Sequence, residues 1–83
     1  MTREEVQQLE DKVYNYPTKH KEGFIGEEIE ALVKEYPDMD RKKFDDAMIG
    51  NTCMMKEGKL VIYHCDVFKA LRCGIEKRGL FIS

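Results

Sequence analysis

Apolar positions near the start of the chain recur every three or four residues. They are Val6, Leu9, Val13 and Tyr16. This spacing places them on one stripe of a helix and predicts that the stripe faces a core. Thr2 and Glu5 form a capping-box pair, in which each side chain accepts from the other residue's backbone N–H, so the helix should begin there. Pro17 disfavours helical geometry in the residue before it and predicts the end of the helix.

The same periodicity returns in two further segments. Residues 26–36 form the first, which Pro37 closes. Its predicted inward residues are Ile29, Leu32, Val33 and Tyr36. The second is predicted to begin at an N-cap, Asp38 or Asp40, and to end near Ile49, before the helix stop Gly50-Asn51. Its predicted inward residues are Phe44, Ala47 and Met48.

From residue 52 the pattern changes to two β-prone runs, residues 52–55 and 60–64, separated by a glycine-containing turn, which predicts a β-hairpin. Two registers are open. A two-residue loop at Glu57-Gly58 pairs Met55 with Leu60, whereas a three-residue loop pairs Met55 with Lys59. The register decides which face Cys53 shares.

A last helix is predicted from an N-cap at Asp66 to Arg78, with Gly79 as its stop. Its predicted inward residues are Val67, Phe68, Leu71, Gly74 and Ile75, with Lys69 and Arg72 facing solvent. Residues 80–82 are too apolar for a free tail and are expected to pack beside the hairpin. The chain is therefore predicted to be one α+β domain, residues 1–83, with three helices, a β-hairpin and a C-terminal helix. This order resembles a winged-helix domain, in which the third helix and the hairpin present the nucleic-acid surface.

Composition supports a folded domain, because 42% of the residues are hydrophobic and 36% are charged. No apolar run approaches the length that spans a bilayer, and the first residues are polar and acidic, so neither a membrane segment nor export is expected. Three cysteines without paired spacing favour reduced thiols and a cytoplasmic location.

The basic residues are concentrated in the second half of the chain. Residues 1–40 carry 11 acidic and 5 basic side chains, whereas residues 41–83 carry 5 and 9. The candidate nucleic-acid contacts are Arg41, Lys42, Lys43, Lys56 and Lys59, at the predicted start of the third helix and at the hairpin tip. The neighbouring carboxylates of Asp38, Asp40, Asp45 and Asp46 are expected to cancel part of that attraction.

Cysteine and histidine spacing offers little chemistry. A three-ligand zinc site from Cys53, His64 and Cys65 is sterically allowed, but the close cysteine pairs typical of zinc sites are missing, and buried thiols acting as small hydrophobes are the favoured interpretation. Cys65 near a helix start has no base to activate it, because adjacent strand residues point to opposite faces. The sequence predicts no catalytic residue and no cofactor.

Both faces of the second hairpin strand are apolar, since Leu60 and Ile62 alternate with Val61 and Tyr63. The favoured interpretation is that residues 80–82 or the last helix cover the second face. The alternative is that this face contacts a partner or a second copy of the chain.

Three stretches carry a resemblance: residues 50–53, residues 62–66 and residues 70–78. About the last 35 residues resemble a family of small uncharacterised proteins from conjugative transposons and prophages of Gram-positive bacteria. The resemblance implies an accessory role in a mobile element, with no ligand or site residue to carry over. The sequence thus predicts a non-enzymatic binding module or accessory regulator acting through protein contacts. DNA binding and a zinc-stabilised domain are the alternatives.

Overall fold

The computed structural model describes residues 2–50 and 53–75, which form four helices, three short strands and the turns and loops between them. In chain order the elements are α1 (Arg3–Tyr14), β1 (Gly23–Phe24), α2 (Gly26–Val33), α3 (Arg41–Ile49), β2 (Cys53–Lys56), β3 (Lys59–Tyr63) and α4 (His64–Ile75). The α+β class and the order of three helices, a hairpin and a fourth helix are confirmed. Strand β1 is an addition that the sequence pattern did not predict.

Helix α1 begins at the predicted capping box. The backbone N–H of Glu5 donates to Thr2 Oγ1 at 3.2 Å, and the backbone N–H of Thr2 donates to Glu5 Oε1 at 2.8 Å. Leu9 and Val13 from the predicted stripe are buried. The helix ends at Tyr14, earlier than Pro17 suggested, because the Asn15 side chain donates to a carbonyl oxygen of the last turn.

Helix α2 ends at Val33 rather than at Tyr36. The N–H groups of Glu35 and Tyr36 donate to the carbonyls of Leu32 and Val33, three residues back, at 3.0 and 2.9 Å. Such bonds tighten the chain out of α-helical geometry, as the proline that follows requires. Helix α3 has Asp40 as its N-cap, and Asp40 Oδ1 accepts from the backbone N–H of Lys43 at 3.2 Å.

The hairpin adopts the two-residue loop. Met55 lies opposite Leu60, and Lys56 opposite Lys59. Both loop residues have positive φ, 51° at Glu57 and 81° at Gly58, as in the type I′ turn that suits the twist of a hairpin. Directly opposite residues share a face, so Cys53, Met55, Leu60 and Ile62 lie on one face of the ribbon.

Strand β1 completes a three-stranded antiparallel sheet in the order β1-β3-β2. Gly23 lies opposite Tyr63, and Phe24 lies opposite Ile62. A Cβ at Gly23 would lie 2.0 Å from the carbonyl oxygen of Ile62, so the close approach of the two backbones requires glycine. A strand of two residues has no periodicity, which is why the sequence pattern did not predict it.

Helix α4 begins at His64, directly after β3. The prediction that Asp66 caps this helix is therefore wrong. Asp66 lies in the first turn, where its carboxylate interacts favourably with the positive end of the helix dipole. The imidazole of His64 packs between two rings, 6.0 Å from Tyr14 and 5.1 Å from Phe24 between ring centroids. These contacts hold it against the core rather than in a strand. The predictions for residues 76–82 lie outside the described residues.

The core lies between the helices and the inner part of the sheet. Its buried members are Leu9, Val13, Phe24, Ile29, Leu32, Phe44, Val67, Ala70 and Leu71. Helices α3 and α4 pack closely, and the N–H of Asp40 donates to the carbonyl oxygen of Gly74 at 3.1 Å. None of the described helices is long and apolar enough to span a bilayer.

Candidate functional site

The first candidate surface is the start of α3, where Arg41 is already engaged within the protein. Its Nη2 lies 2.6 Å from Glu30 Oε2 on α2, and its Nε lies 2.9 Å from Asp45 Oδ1. The hydrogen bond from Arg41 holds the pKa of Glu30 below its ordinary value. Its guanidinium also sits over the Phe44 ring, 5.5 Å from the centroid. Arg41 therefore ties α2 to α3, and two carboxylates offset its charge.

Lys42 and Lys43 differ from Arg41. Lys42 is exposed and Lys43 is half-buried. No ion pair joins either ammonium to a carboxylate in residues 2–50 and 53–75. Asp45 was predicted to offset the charge of all three basic residues, but among the described residues it pairs with Arg41 and with neither lysine. Glu30 is a further partner of Arg41 that the sequence did not reveal.

The second candidate surface is the hairpin tip, where a loop ahead of β1 contacts the turn. Lys56 Nζ lies 3.1 Å from Glu22 Oε2, and this pair lowers the pKa of Glu22. On the same loop, His20 Nε2 lies 3.6 Å from Glu57 Oε2. The imidazole is only 10% exposed, and Nε2 has no hydrogen-bond partner among the described residues. Lys59, in contrast, is exposed and has no carboxylate partner among them.

The five predicted nucleic-acid contacts thus divide into two groups with different surroundings. The α3 group lies beside Glu30 of α2, and Lys56 at the hairpin tip lies beside Glu22. No hydrogen bond or ion pair among the described residues joins the two groups. Among the described residues, carboxylates engage Arg41 and Lys56, so Lys42, Lys43 and Lys59 are the three of these five cations without a carboxylate partner there.

All three cysteines are exposed, so the prediction of buried thiols is wrong. Cys65 and Cys73 lie on the outward face of α4, because the inward positions are taken by Val67, Leu71 and their neighbours. Cys53 lies on β2, at the edge of the sheet. Within residues 2–50 and 53–75 no three His, Cys, Asp or Glu side chains are grouped so as to hold a metal ion, and Cys53, His64 and Cys65 therefore form no such group.

An apolar cleft between the start of α2 and the hairpin tip is a third candidate surface. Its volume is about 410 Å³. Met55 and Leu60, directly opposite each other on the ribbon, form one wall and are 62% and 55% exposed. Ile25, which is buried, also lines the cleft, and the polar side chains of its lining are Glu27 and Lys59.

The exposed pair in this cleft differs from the other large apolar side chains on the surface. Ile49, at the end of α3, is 80% exposed. Tyr14 stacks on His64 and contacts Phe68, so its ring is partly accommodated within the protein. Met55 and Leu60 are adjacent to each other, and together they form a contiguous apolar patch. Alternation of apolar residues along β3 predicted two apolar faces, but the contribution of α2 to the cleft is a tertiary feature that the sequence did not reveal.

No protein-family model, no curated protein and no solved structure matches this chain. The geometry of these surfaces is therefore the basis for assigning a function.

Proposed function

We propose that this protein is a non-enzymatic binding module that recognises another polypeptide through the cleft at the hairpin tip. The supporting observation is the exposure of Met55 and Leu60 as a cross-strand pair. A contiguous apolar patch with a polar rim is typical of a protein interaction site, because solvating it costs free energy that a partner's side chain recovers.

The cleft suits an apolar side chain of a bound peptide. Its walls are apolar, and its volume of about 410 Å³ is at the small end of ligand pockets. The two charged side chains of the lining, Glu27 and Lys59, have opposite signs. They would fix the orientation of a peptide without selecting a strongly acidic or basic one.

The test is a selection of peptides from a random display library against the full chain, followed by titration of the selected peptides by fluorescence polarisation. Leu60→Lys should weaken binding roughly five- to thirteenfold, since burying the exposed half of a leucine contributes about 1 to 1.5 kcal/mol. Ile49→Lys is the matched control, because it makes the same chemical change at an exposed position on α3, and it should leave the affinity unchanged.

Two outcomes would contradict the proposal. One is a selection that yields no binder. The other is a set of peptides that bind Leu60→Lys and the parent protein equally while both retain the same Tm. In either case the apolar cleft is not the recognition surface.

DNA binding is the second candidate, and it rests on three lysines that have no carboxylate partner in the part of the chain that the structure describes: Lys42, Lys43 and Lys59. Three phosphate contacts correspond to a slope of log K against log salt no steeper than about −2.7. The measurement is a salt titration with random duplex DNA. Lys42→Glu with Lys43→Glu should flatten the slope to about −0.9. Absence of binding at low salt removes this candidate.

A further inference from the structure

The imidazole of His20 contains a buried nitrogen that has no hydrogen-bond partner among the described residues. The side chain is 10% exposed, and the unpartnered atom is Nε2. Glu57 Oε2 lies 3.6 Å from it, which is close enough for an ion pair and too long for a hydrogen bond. Leaving a buried polar atom unpartnered costs free energy. A protonated ring donates from both nitrogens and attracts the carboxylate, so protonation favours closure of this contact.

The backbone conformation of Glu57 also indicates a role for its carboxylate. Glu57 is the first residue of the two-residue turn and has a φ of 51°, where asparagine, aspartate or glycine is preferred. Glutamate therefore strains the turn at this position. Strained residues are enriched at functional and switch positions, and here the strained residue is the one whose carboxylate faces the buried imidazole.

The other charged side chains near the His20–Glu57 contact have partners of their own or are exposed. Lys56 Nζ lies 3.1 Å from Glu22 Oε2, and Glu28 Oε2 on α2 accepts from the backbone N–H of Lys19 at 2.7 Å. Three exposed ammonium groups are neighbours in sequence, on the loop and on the hairpin: Lys19, Lys21 and Lys59. Carboxylates stay ionised and lysines stay protonated between pH 6 and 8. The imidazole is therefore the group at this contact whose charge changes in that range.

The loop that carries His20 connects the two walls of the apolar cleft. Toward α2 the loop is held by Glu28, whose Oε1 also accepts from the backbone N–H of Ile25 at 2.9 Å. Ile25 lines one wall of the cleft. Toward the hairpin the loop contacts Glu57, and Gly58 of the same turn lines the other wall. A stronger contact between His20 and Glu57 therefore restrains the two walls relative to each other.

Protonation should raise the affinity of the cleft, because it preorganises the binding site. An imidazolium attracts the carboxylate of Glu57 and holds the turn against the loop, so a bound peptide has less motion left to restrict. The carboxylate is 69% exposed, and solvent screens the attraction. A pair of this kind changes an equilibrium by roughly two- to fivefold, which sets the size of the effect.

We propose that His20 regulates the cleft: protonation of its imidazole closes the contact with Glu57 and increases the affinity of the cleft for a peptide. This inference rests on the proposed function and adds its regulation by pH between about 8 and 6, the range in which histidine side chains titrate.

NMR of the free protein tests the contact without a peptide. The chain has two histidines, so the ring signals of His20 and His64 can be assigned and followed from pH 8 to pH 6. The backbone amide of Gly58 should shift in step with the His20 ring. Glu57→Gln keeps the size of the side chain and removes its charge, and it should abolish most of that shift. A Gly58 amide that follows His64, or that shifts equally in both proteins, overturns the contact.

Peptide binding at two pH values tests the regulation. The probe is a peptide selected against the full chain that contains no histidine and has an acetylated amino terminus, and fluorescence polarisation gives its Kd at pH 8 and pH 6. The parent protein should bind it two- to fivefold more tightly at pH 6. Glu57→Gln and His20→Gln should bind it equally at both. Glu22→Gln is the matched control, because it removes the second contact between loop and hairpin, whose charges do not change in this range, and it should retain the gain.

Equal affinity of the parent protein at pH 8 and pH 6 overturns the regulation. A gain that survives in Glu57→Gln overturns it as well, and this variant decides the case if His20→Gln does not fold, since Glu57 is exposed. A selection that yields no peptide refutes the cleft as a binding site and with it the regulation, whereas the NMR titration decides the His20–Glu57 contact independently.

Discussion

The approach of β1 to β3 depends on the absence of a side chain at Gly23. A Cβ there would lie 2.0 Å from the carbonyl oxygen of Ile62 and 2.7 Å from its carbonyl carbon. Both atoms belong to the backbone of the central strand, so no side-chain rotation relieves the overlap. In Gly23→Ala, β1 must move off β3, which disturbs the ladder and displaces the fully buried Phe24.

The expected loss of stability is about 2 to 4 kcal/mol. Forced overlap in a packed interior costs roughly 1 to 3 kcal/mol, and the weakened ladder hydrogen bonds add about 1 kcal/mol. For a domain of this size the loss lowers Tm by roughly 10 to 30 °C. Circular dichroism gives the free energy of unfolding from urea titration and Tm from heating, provided that the transition is two-state.

Gly26→Ala is the matched control, two residues beyond the end of β1. No atom lies within 4 Å of a Cβ at Gly26, which opens α2. Alanine there removes the entropy cost of a helical glycine and should stabilise the protein by up to about 1 kcal/mol. If Gly23→Ala is as stable as Gly26→Ala, the proposed β1–β3 contact is refuted.

Three further substitutions test separate parts of the fold. Gly74→Ala places a Cβ 2.5 Å from Met39 Cγ, so it should destabilise the protein by about 1 kcal/mol in urea denaturation, after the gain from removing a helical glycine. Glu57→Asn should raise stability by about 0.5 to 1 kcal/mol, because asparagine tolerates the positive φ of 51° better than glutamate does. Arg41→Gln should lower stability at pH 7 by up to about 1 kcal/mol, and the difference from the parent protein should disappear on acidification. The pKa of Glu30 is lowered by Arg41 in the folded state, so this stabilisation is complete above the unfolded value of 4.5 and is lost as pH falls through the folded one.

Each of the three has its own control. In a Met39→Ala background, Gly74→Ala should cost less stability than it does in the parent protein, and an equal cost in both backgrounds would contradict the packing of α4 on residue 39. Glu57→Ala and Glu57→Asn both remove the carboxylate near His20, but alanine tolerates the positive φ less well than asparagine does. Glu57→Ala should therefore be the less stable of the two variants, and equal stability would contradict the role of the backbone conformation. Lys42→Gln removes a charge that has no ion-pair partner within residues 2–50 and 53–75, and it should leave the pH dependence unchanged. Equal effects of Lys42→Gln and Arg41→Gln would argue against a specific Arg41–Glu30 pair.

Local signals in the sequence predicted local structure well. The pair Thr2 and Glu5 identified the start of α1, Asp40 was one of two proposed caps for α3, and the glycine-containing turn at Gly58 predicted the hairpin. Each of these features depends on contacts between residues only a few positions apart, which the pattern records directly. Two hairpin registers remain possible from the sequence, because Gly58 suits either a two-residue or a three-residue loop.

Features that depend on tertiary contacts were not predicted. Strand β1 exists because Gly23 lets two backbones approach closely, and α4 begins at His64 because that ring packs between Tyr14 and Phe24. Glu30, the partner of Arg41 on α2, is 11 residues away in sequence, which is too far for helical periodicity to indicate the pair. The exposure of Cys65 and Cys73 likewise follows from which face of α4 meets the core.

The role of the cleft at the hairpin tip is tested most directly by methyl NMR of the full chain labelled at the methionine ε-methyl groups. A peptide selected for binding is titrated into the protein while Met55, in the cleft, and Met39, beneath α4, are followed. We expect the Met55 methyl to shift with the peptide while the Met39 methyl stays in place. A saturating peptide that leaves Met55 unmoved would contradict the proposal that the cleft binds polypeptides.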